Sequence, residues 1–213
     1  MLELQYVNFV DTLRKFTRWV KIFLLALTLG LFCSFATAQD SLLLLLKNGG
    51  YNIFFRHAKT DGLDPHKKNP PNETPYNCAS QRPLNDAGRA QAQEIGRRFS
   101  ELLLPVGDVY SSPVCRCEET AKLAFGKVTT VDWMVVRRGQ FLSKLDKELR
   151  SVPSTGIFTK TPTGKNNIYV GHNITFTEFL VGKEFGRPSL EEGEALVIEP
   201  GEPPKVLGRI KFY

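Results

Sequence analysis

No stretch of this sequence crowds lysine and arginine together with interleaved aromatic residues, although the chain carries 28 of those basic residues against 22 acidic ones. A nucleic-acid-binding stripe is therefore a poor reading. No internal repeat is present, which excludes solenoids and propellers, and nothing marks a second folded domain. Cysteine is scarce, at four residues, and Cys115 and Cys117 have only one residue between them. That spacing does not match the usual zinc-ligand pairs. Histidine is scarcer still: the chain has only His57, His66 and His172. The apolar run from Ile22 to Phe32 falls short of the about 20 residues that a membrane helix needs.

What surrounds that run reads as an export signal. Arg14, Lys15, Arg18 and Lys21 precede it, and Ala36-Thr37-Ala38 supplies small residues at a cleavage-like site. Residues 1–38 are expected to be removed, with the long basic region implying a true start downstream of Met1. An uncleaved signal serving as a membrane anchor is the alternative. A lipid on Cys33 is disfavoured by the bulky Phe32 before it. The expected mature chain, residues 39–213, suffices for one domain with a good core, in the periplasm or outside the cell. It keeps 24 basic and 20 acidic residues, a net charge of +4. It also keeps Cys78, Cys115 and Cys117, an odd count that implies one disulfide and a spare thiol, or none. Cys78 joined to Cys115 or to Cys117 is more plausible than the strained pair two residues apart.

Within the mature chain, Ile53, Phe54 and Phe55 form the apolar run of a strand buried on both faces, and it stops on Arg56-His57. Residues 61–83 carry turn and breaker signals and read as a long polar loop. A helix opens at Asn85 as N-cap, with Ala92, Ile95, Phe99 and Leu102 inward and Arg89, Gln93, Arg97 and Glu101 outward. It ends at Leu103-Leu104-Pro105. A strand over Asp108–Ser112 and a helix over Val114–Phe125 follow, placing Arg116 in a first helical turn. A cation there opposes the helix dipole and calls for an anionic partner, of which Glu119 is the bland candidate and phosphate the other. Val128–Trp133 reads as strand, Phe141–Val152 as helix and Pro153–Asn167 as loop. The strand from Asn167 repeats the opening theme by ending in His172, with a helix expected over Thr175–Val181. Glu194–Pro200 and Val206–Phe212 supply the final strands.

Strand ends thus offer Arg56-His57, Arg116 and His172 at one sheet edge, where open α/β sheets bind ligands. Two guanidinium forks suit a phosphoryl dianion, and a neutral histidine can attack phosphorus. The stretches FFRHAKT, RPLNDAGRAQAQEIGRRF, YSSPVCRCEETAKLAF and VGHN closely resemble those of the histidine phosphatase superfamily, in the family's order, from about residue 51 to 180.

The resemblance implies the phosphoglycerate mutase-like fold: a single-domain, three-layer α/β sandwich with a mostly parallel sheet and helices on both faces. It implies His57 as the nucleophile that becomes phosphohistidine, Arg56 and Arg116 as ligands of the phosphoryl oxygens, and His172 as stabiliser of the charge in flight. Thr60 would support the loop by hydrogen bonding. No metal or other cofactor is implied, and the partner is a small phosphorylated substrate, with membrane contact only through the export signal. His66 matches no motif and reads as a solvated loop residue.

The leaving-group acid departs from the pattern. The acid-phosphatase branch has Asp after the second histidine, where this chain has Asn173. Asp146 and Glu148 lie where the mutase-like branch keeps a Glu, but read as the wet face of a helix. Asp61, beside the nucleophile, is the preferred acid, with Glu178 in reserve. The GHN sequence resembles that of the small phosphohistidine phosphatases, whose leaving imidazole needs little protonation. Export fits a surface-sugar phosphate better, as for the lipopolysaccharide core heptose phosphatases. The rivals are a phosphomutase and a phosphatase-like module that binds a phosphorylated ligand without turning it over.

Overall fold

The computed structural model of the chain describes residues 38–61, 77–134, 156–173 and 189–213. Residues 1–37 of the expected export segment 1–38 lie outside them, as do most of the polar loop, the helices expected over 141–152 and 175–181, and His66, Asp146, Glu148 and Glu178. Residues 38–213 form one compact unit.

Six strands make one sheet. They are β1 (Asn52–Arg56), β2 (Val106–Ser111), β3 (Thr129–Thr130), β4 (Asn166–Gly171), β5 (Ala195–Glu199) and β6 (Lys205–Ile210), in the order β3-β2-β4-β1-β5-β6. The pairs β2–β3, β2–β4 and β1–β4 are parallel, whereas β5 runs antiparallel to both β1 and β6. This is the mostly parallel α/β sheet that the family resemblance implies. Central β1 is apolar throughout because both of its faces are covered. Ile53 and Phe55 enter one core and Phe54 the other. The same alternation places Ile168 and Val170 of β4, and Ala195 and Val197 of β5, on the first side, with Tyr169, Leu196 and Ile198 on the second.

Three helices cover the first face: α1 (Ala38–Lys47), α2 (Asp86–Glu101) and α3 (Cys115–Phe125). In α1, Leu42 and Leu46 turn inward, one helical turn apart, while Leu44 and Leu45 face water. Ile95 and Phe99 of α2 and Cys117 and Ala121 of α3 complete this core. Phe55 lies at its centre, with ring centroids 6.1 Å from Phe99, 5.9 Å from Phe125 and 5.8 Å from Phe212. Truncating such a ring to alanine costs about 3–5 kcal/mol. The N-cap of α2 is Asn85, whose Oδ1 accepts from the Gly88 N–H at 2.8 Å, as its sequence predicts. The helix stops at Leu102, and exposed Leu103 takes the left-handed conformation (φ 54) in which glycine is usual.

On the second face Phe158 and Met134 pack against the sheet. Two expectations change there. The stretch expected as loop over 153–167 contains a four-residue helix, α4 (Gly156–Thr159), which carries Phe158 to within 4.8 Å of the Tyr169 ring. The strand expected over 128–133 is only two residues long and gives way to a 3₁₀ turn, Asp132–Met134. In both places burial of one apolar side chain overrides the local pattern.

Candidate active site

The parallel register of β1 on β4 pairs Arg56 with Gly171, so the next residues, His57 and His172, stand side by side beyond the carboxyl edge. Their ring centroids are 5.3 Å apart, with the planes inclined at 66°. His57 N donates to the Gly171 carbonyl at 3.0 Å, closing the last rung before the chain leaves the sheet. Its Nδ1 lies 2.8 Å from the Ala58 carbonyl oxygen. A carbonyl only accepts, so Nδ1 carries the proton and Nε2 keeps a lone pair. Burial, then the neighbouring guanidinium of Arg116, lower the His57 pKa to about 3, with smaller contributions from Arg56 and Arg82. His57 is therefore neutral at physiological pH. His172 is pushed well below the ordinary range too, chiefly by burial and then by Arg116.

Arg116 reaches the site from the first turn of α3, where its Nη2 lies 3.4 Å from His172 Nδ1. Glu119, the bland partner for it, instead accepts from Arg89 Nε at 2.7 Å. Cys117 Sγ lies 3.4 Å from His172 Nε2 and 4.0 Å from its Nδ1. Cys117 is buried and lies outside the disulfide, which joins Cys78 to Cys115. The disulfide ties the 3₁₀ turn Cys78–Ser80 to the start of α3, and Gln81 Oε1 accepts from the Cys115 N–H at 2.8 Å.

Arg56 donates Nη1 to the Leu190 carbonyl at 2.7 Å and Nη2 to Glu192 Oε1 at 3.3 Å. Buried Thr60 donates its hydroxyl to the same Glu192 oxygen at 2.9 Å. Asp61 lies exposed on the rim, its Oδ1 accepting from Asn85 Nδ2 at 3.1 Å and its carbonyl from Arg82 Nη1 at 3.3 Å. The structure thus brings His57, His172, Arg116, Arg56 and Thr60 to one edge and sets Asp61 at its border. Among the described residues, no three His, Cys, Asp or Glu side chains stand close enough to share a metal ion.

Asn173 is committed elsewhere: its amide donates to the Leu190 carbonyl at 3.1 Å and accepts from the Leu190 N–H at 3.0 Å. It clips the segment that carries Glu192 against the site. Gln91 completes the clip, accepting from the Lys59 N–H at 3.0 Å and donating to the Glu192 carbonyl at 2.9 Å. Gly88 lets α2 approach this closely, since a Cβ there would fall 1.9 Å from the Lys59 carbonyl oxygen. Glu192, Arg82, Gln91 and Cys117 carry no site reading in the sequence. Their partners lie between 21 and 136 residues away along the chain, and no local spacing signals them.

The model of the histidine phosphatase superfamily (branch 1) matches residues 53–136, a span that holds Arg56, His57 and Arg116 but ends before His172. No curated protein matches the chain. Among solved structures, the chain resembles a mutant phosphoserine phosphatase from Entamoeba histolytica in complex with phosphoserine. The TM-score is 0.51 and the identity 15%, over 76% of this chain and 97% of that one. A second structure of phosphoserine phosphatase from that organism, with 3-phosphoglyceric acid, gives a TM-score of 0.50 at 14% identity, over 75% and 95% of the two chains. A candidate phosphohistidine phosphatase, SixA, from Agrobacterium tumefaciens gives 0.45 at 21% identity, over 76% and 97%. At these identities the likeness to the two phosphoserine phosphatase structures is one of fold.

Proposed function

We propose that this chain, which belongs to the histidine phosphatase superfamily, hydrolyses phosphomonoesters through a covalent phosphohistidine at His57. The observation that carries the proposal is the Ala58 carbonyl on His57 Nδ1, which leaves Nε2 unprotonated beside Arg116 and His172. In the first step Nε2 forms a bond to phosphorus as the ester P–O bond breaks, and the leaving oxygen takes a proton from Asp61 on the rim. In the second step water attacks phosphorus and gives a proton back to the Asp61 carboxylate, the N–P bond breaks and orthophosphate departs. Arg56, Thr60 and Arg116 hold the phosphoryl oxygens, and His172 hydrogen-bonds to one of them as charge develops. Arginines supply the charge that metal ions give elsewhere, so turnover proceeds without a metal.

Export is part of the same proposal. The Cys78–Cys115 disulfide supports it, because such bonds persist in oxidising compartments. No described helix is long and apolar enough to cross a membrane. A sugar phosphate of the cell surface suits that compartment better than a phosphohistidine protein does.

The test is hydrolysis of a generic aryl phosphate with and without a chelator, combined with trapping of an acid-labile, base-stable phosphoenzyme. Equal rates and a phosphoenzyme that vanishes in His57→Ala are the expected result. Phosphate binding without turnover would make the chain a binding module, and transfer of phosphate to a second hydroxyl would make it a mutase. Asp61→Asn should slow alkyl esters by about 10²-fold or more and leave activated aryl esters nearly untouched, because only the alkyl oxide needs protonation. Equal slowing of both substrates would give Asp61 a positioning role instead.

A further inference from the structure

A carboxylate occupies the donors assigned to phosphate. Glu192 Oε1 accepts from Thr60 Oγ1 at 2.9 Å and from Arg56 Nη2 at 3.3 Å, and Arg82 Nη2 stands 4.0 Å from the same oxygen. Glu192 Oε2 accepts from the Thr60 N–H at 3.3 Å. A carboxylate and a phosphoryl group present charge of the same sign and a similar pair of oxygens to a guanidinium fork.

We propose that Glu192 is a resident stand-in for the substrate's anion, holding Arg56 and Thr60 between turnovers and yielding them when a phosphoryl dianion binds. By the same geometry Arg82 is a third cation of that site. The inference rests on the phosphatase reading above and adds to it how the pocket is kept ready and how it releases product.

The surroundings fit an exchange of this kind. The backbone of Glu192 is pinned by the Gln91 amide, and the next residue, Gly193, donates its N–H to the His57 carbonyl at 3.0 Å. Only the side chain must turn aside. Arg82 is held in place by the Asp61 carbonyl and follows directly after the disulfide-anchored turn and Gln81. Arg56, Arg82 and Arg116 carry three positive charges, the two histidines are neutral, and Glu192 brings the sum to +2. That sum balances a phosphate dianion. Without the carboxylate, the three arginines would hold substrate and orthophosphate alike more tightly, which lowers KM without speeding chemistry.

The experiment is calorimetric binding of orthophosphate to the full chain and to the Glu192→Gln and Arg82→Ala variants, with thermal melts to verify folding. Glu192→Gln should bind orthophosphate about tenfold tighter, the effect of removing one competing charged hydrogen bond. Its KM for an aryl phosphate should fall, and its product inhibition should strengthen in step. Arg82→Ala should bind about tenfold more weakly. Unchanged or weaker binding in Glu192→Gln overturns the stand-in and makes Glu192 an orienting partner of Arg56. Unchanged binding in Arg82→Ala removes Arg82 from the site, and remains decisive should the other variant fail to fold. Because binding is read without turnover, a wild-type chain that binds orthophosphate but hydrolyses no ester fails the phosphatase reading alone. The three dissociation constants then still decide the role of Glu192. A wild-type chain that binds no orthophosphate overturns both.

Discussion

His57 and His172 end neighbouring parallel strands and lie ring against ring, yet they are held by different means. His57 is fixed by main chain: its N–H meets the Gly171 carbonyl and its Nδ1 the Ala58 carbonyl. His172 is fixed by side chains, with Arg116 on Nδ1 and Cys117 on Nε2. A carbonyl can only accept, so it imposes one tautomer on His57. A guanidinium can only donate, so it makes His172 Nδ1 an acceptor and leaves the ring proton on Nε2, beside the Cys117 sulfur. The difference matches the two proposed roles. A nucleophile needs a lone pair on Nε2, whereas a ring that stabilises an arriving phosphoryl oxygen needs a proton there to donate.

The comparison is broken most directly at His57. His57→Ala should reduce phosphatase turnover by about 10⁴-fold or more while leaving circular dichroism unchanged. A near-normal rate would end the covalent mechanism and the contrast with it. Arg116→Ala removes the cation beside His172 and should lower kcat/KM by about 10²-fold, with both kcat and KM affected, since the charge acts before and during the reaction. Unaltered constants would take Arg116 out of the site.

Acidification sharpens the contrast through stability. The native chain holds His57 neutral down to about pH 3, whereas the unfolded chain takes up its proton near pH 6.5. Stability therefore falls as pH drops from 6.5 towards 3, and His57 alone contributes a loss of ~2 kcal/mol by pH 5. Urea midpoints at pH 7 and pH 5 should show that loss shrinking in His57→Ala. An identical loss in both proteins would mean that His57 is not held neutral by burial.

The smallest effect is expected at Cys117. Cys117→Ala should lower kcat by about fivefold, the cost of one weak hydrogen bond, with KM little changed. Cys117→Ser, which keeps a group able to donate and accept, should recover most of it. If Ser and Ala behave alike, the thiol fills space and does not hold the ring.

Much of this architecture was legible along the chain. The apolar runs at Ile53–Phe55 and Tyr169–Val170, the Asn85 cap and the polar break after Leu102 are local signals. Each follows from the alternation of a strand, from capping chemistry or from the end of a helical stripe. Arg56, His57, Arg116 and His172 were legible for the same reason, as each follows or closes a recognisable element. The two-residue β3 and the helix around Phe158 were not, because a single buried side chain decides each of them.

The sequence by itself determined the order β1, α2, β2, α3 and then β4 to β6, the apolar character of the central strands and the delivery of two arginines and two histidines to one edge. Short-range spacing is enough for these. It left the disulfide open between Cys115 and Cys117, gave Arg116 a partner in Glu119, and said nothing of Glu192. Tertiary structure alone decided that Cys78 pairs with Cys115, that Glu119 turns to Arg89, and that Glu192 enters the hands of Arg56 and Thr60. These pairings join residues between 30 and 136 positions apart. Only the packing of α2 on α3 and the register of β1 between β4 and β5 bring such residues within hydrogen-bonding distance.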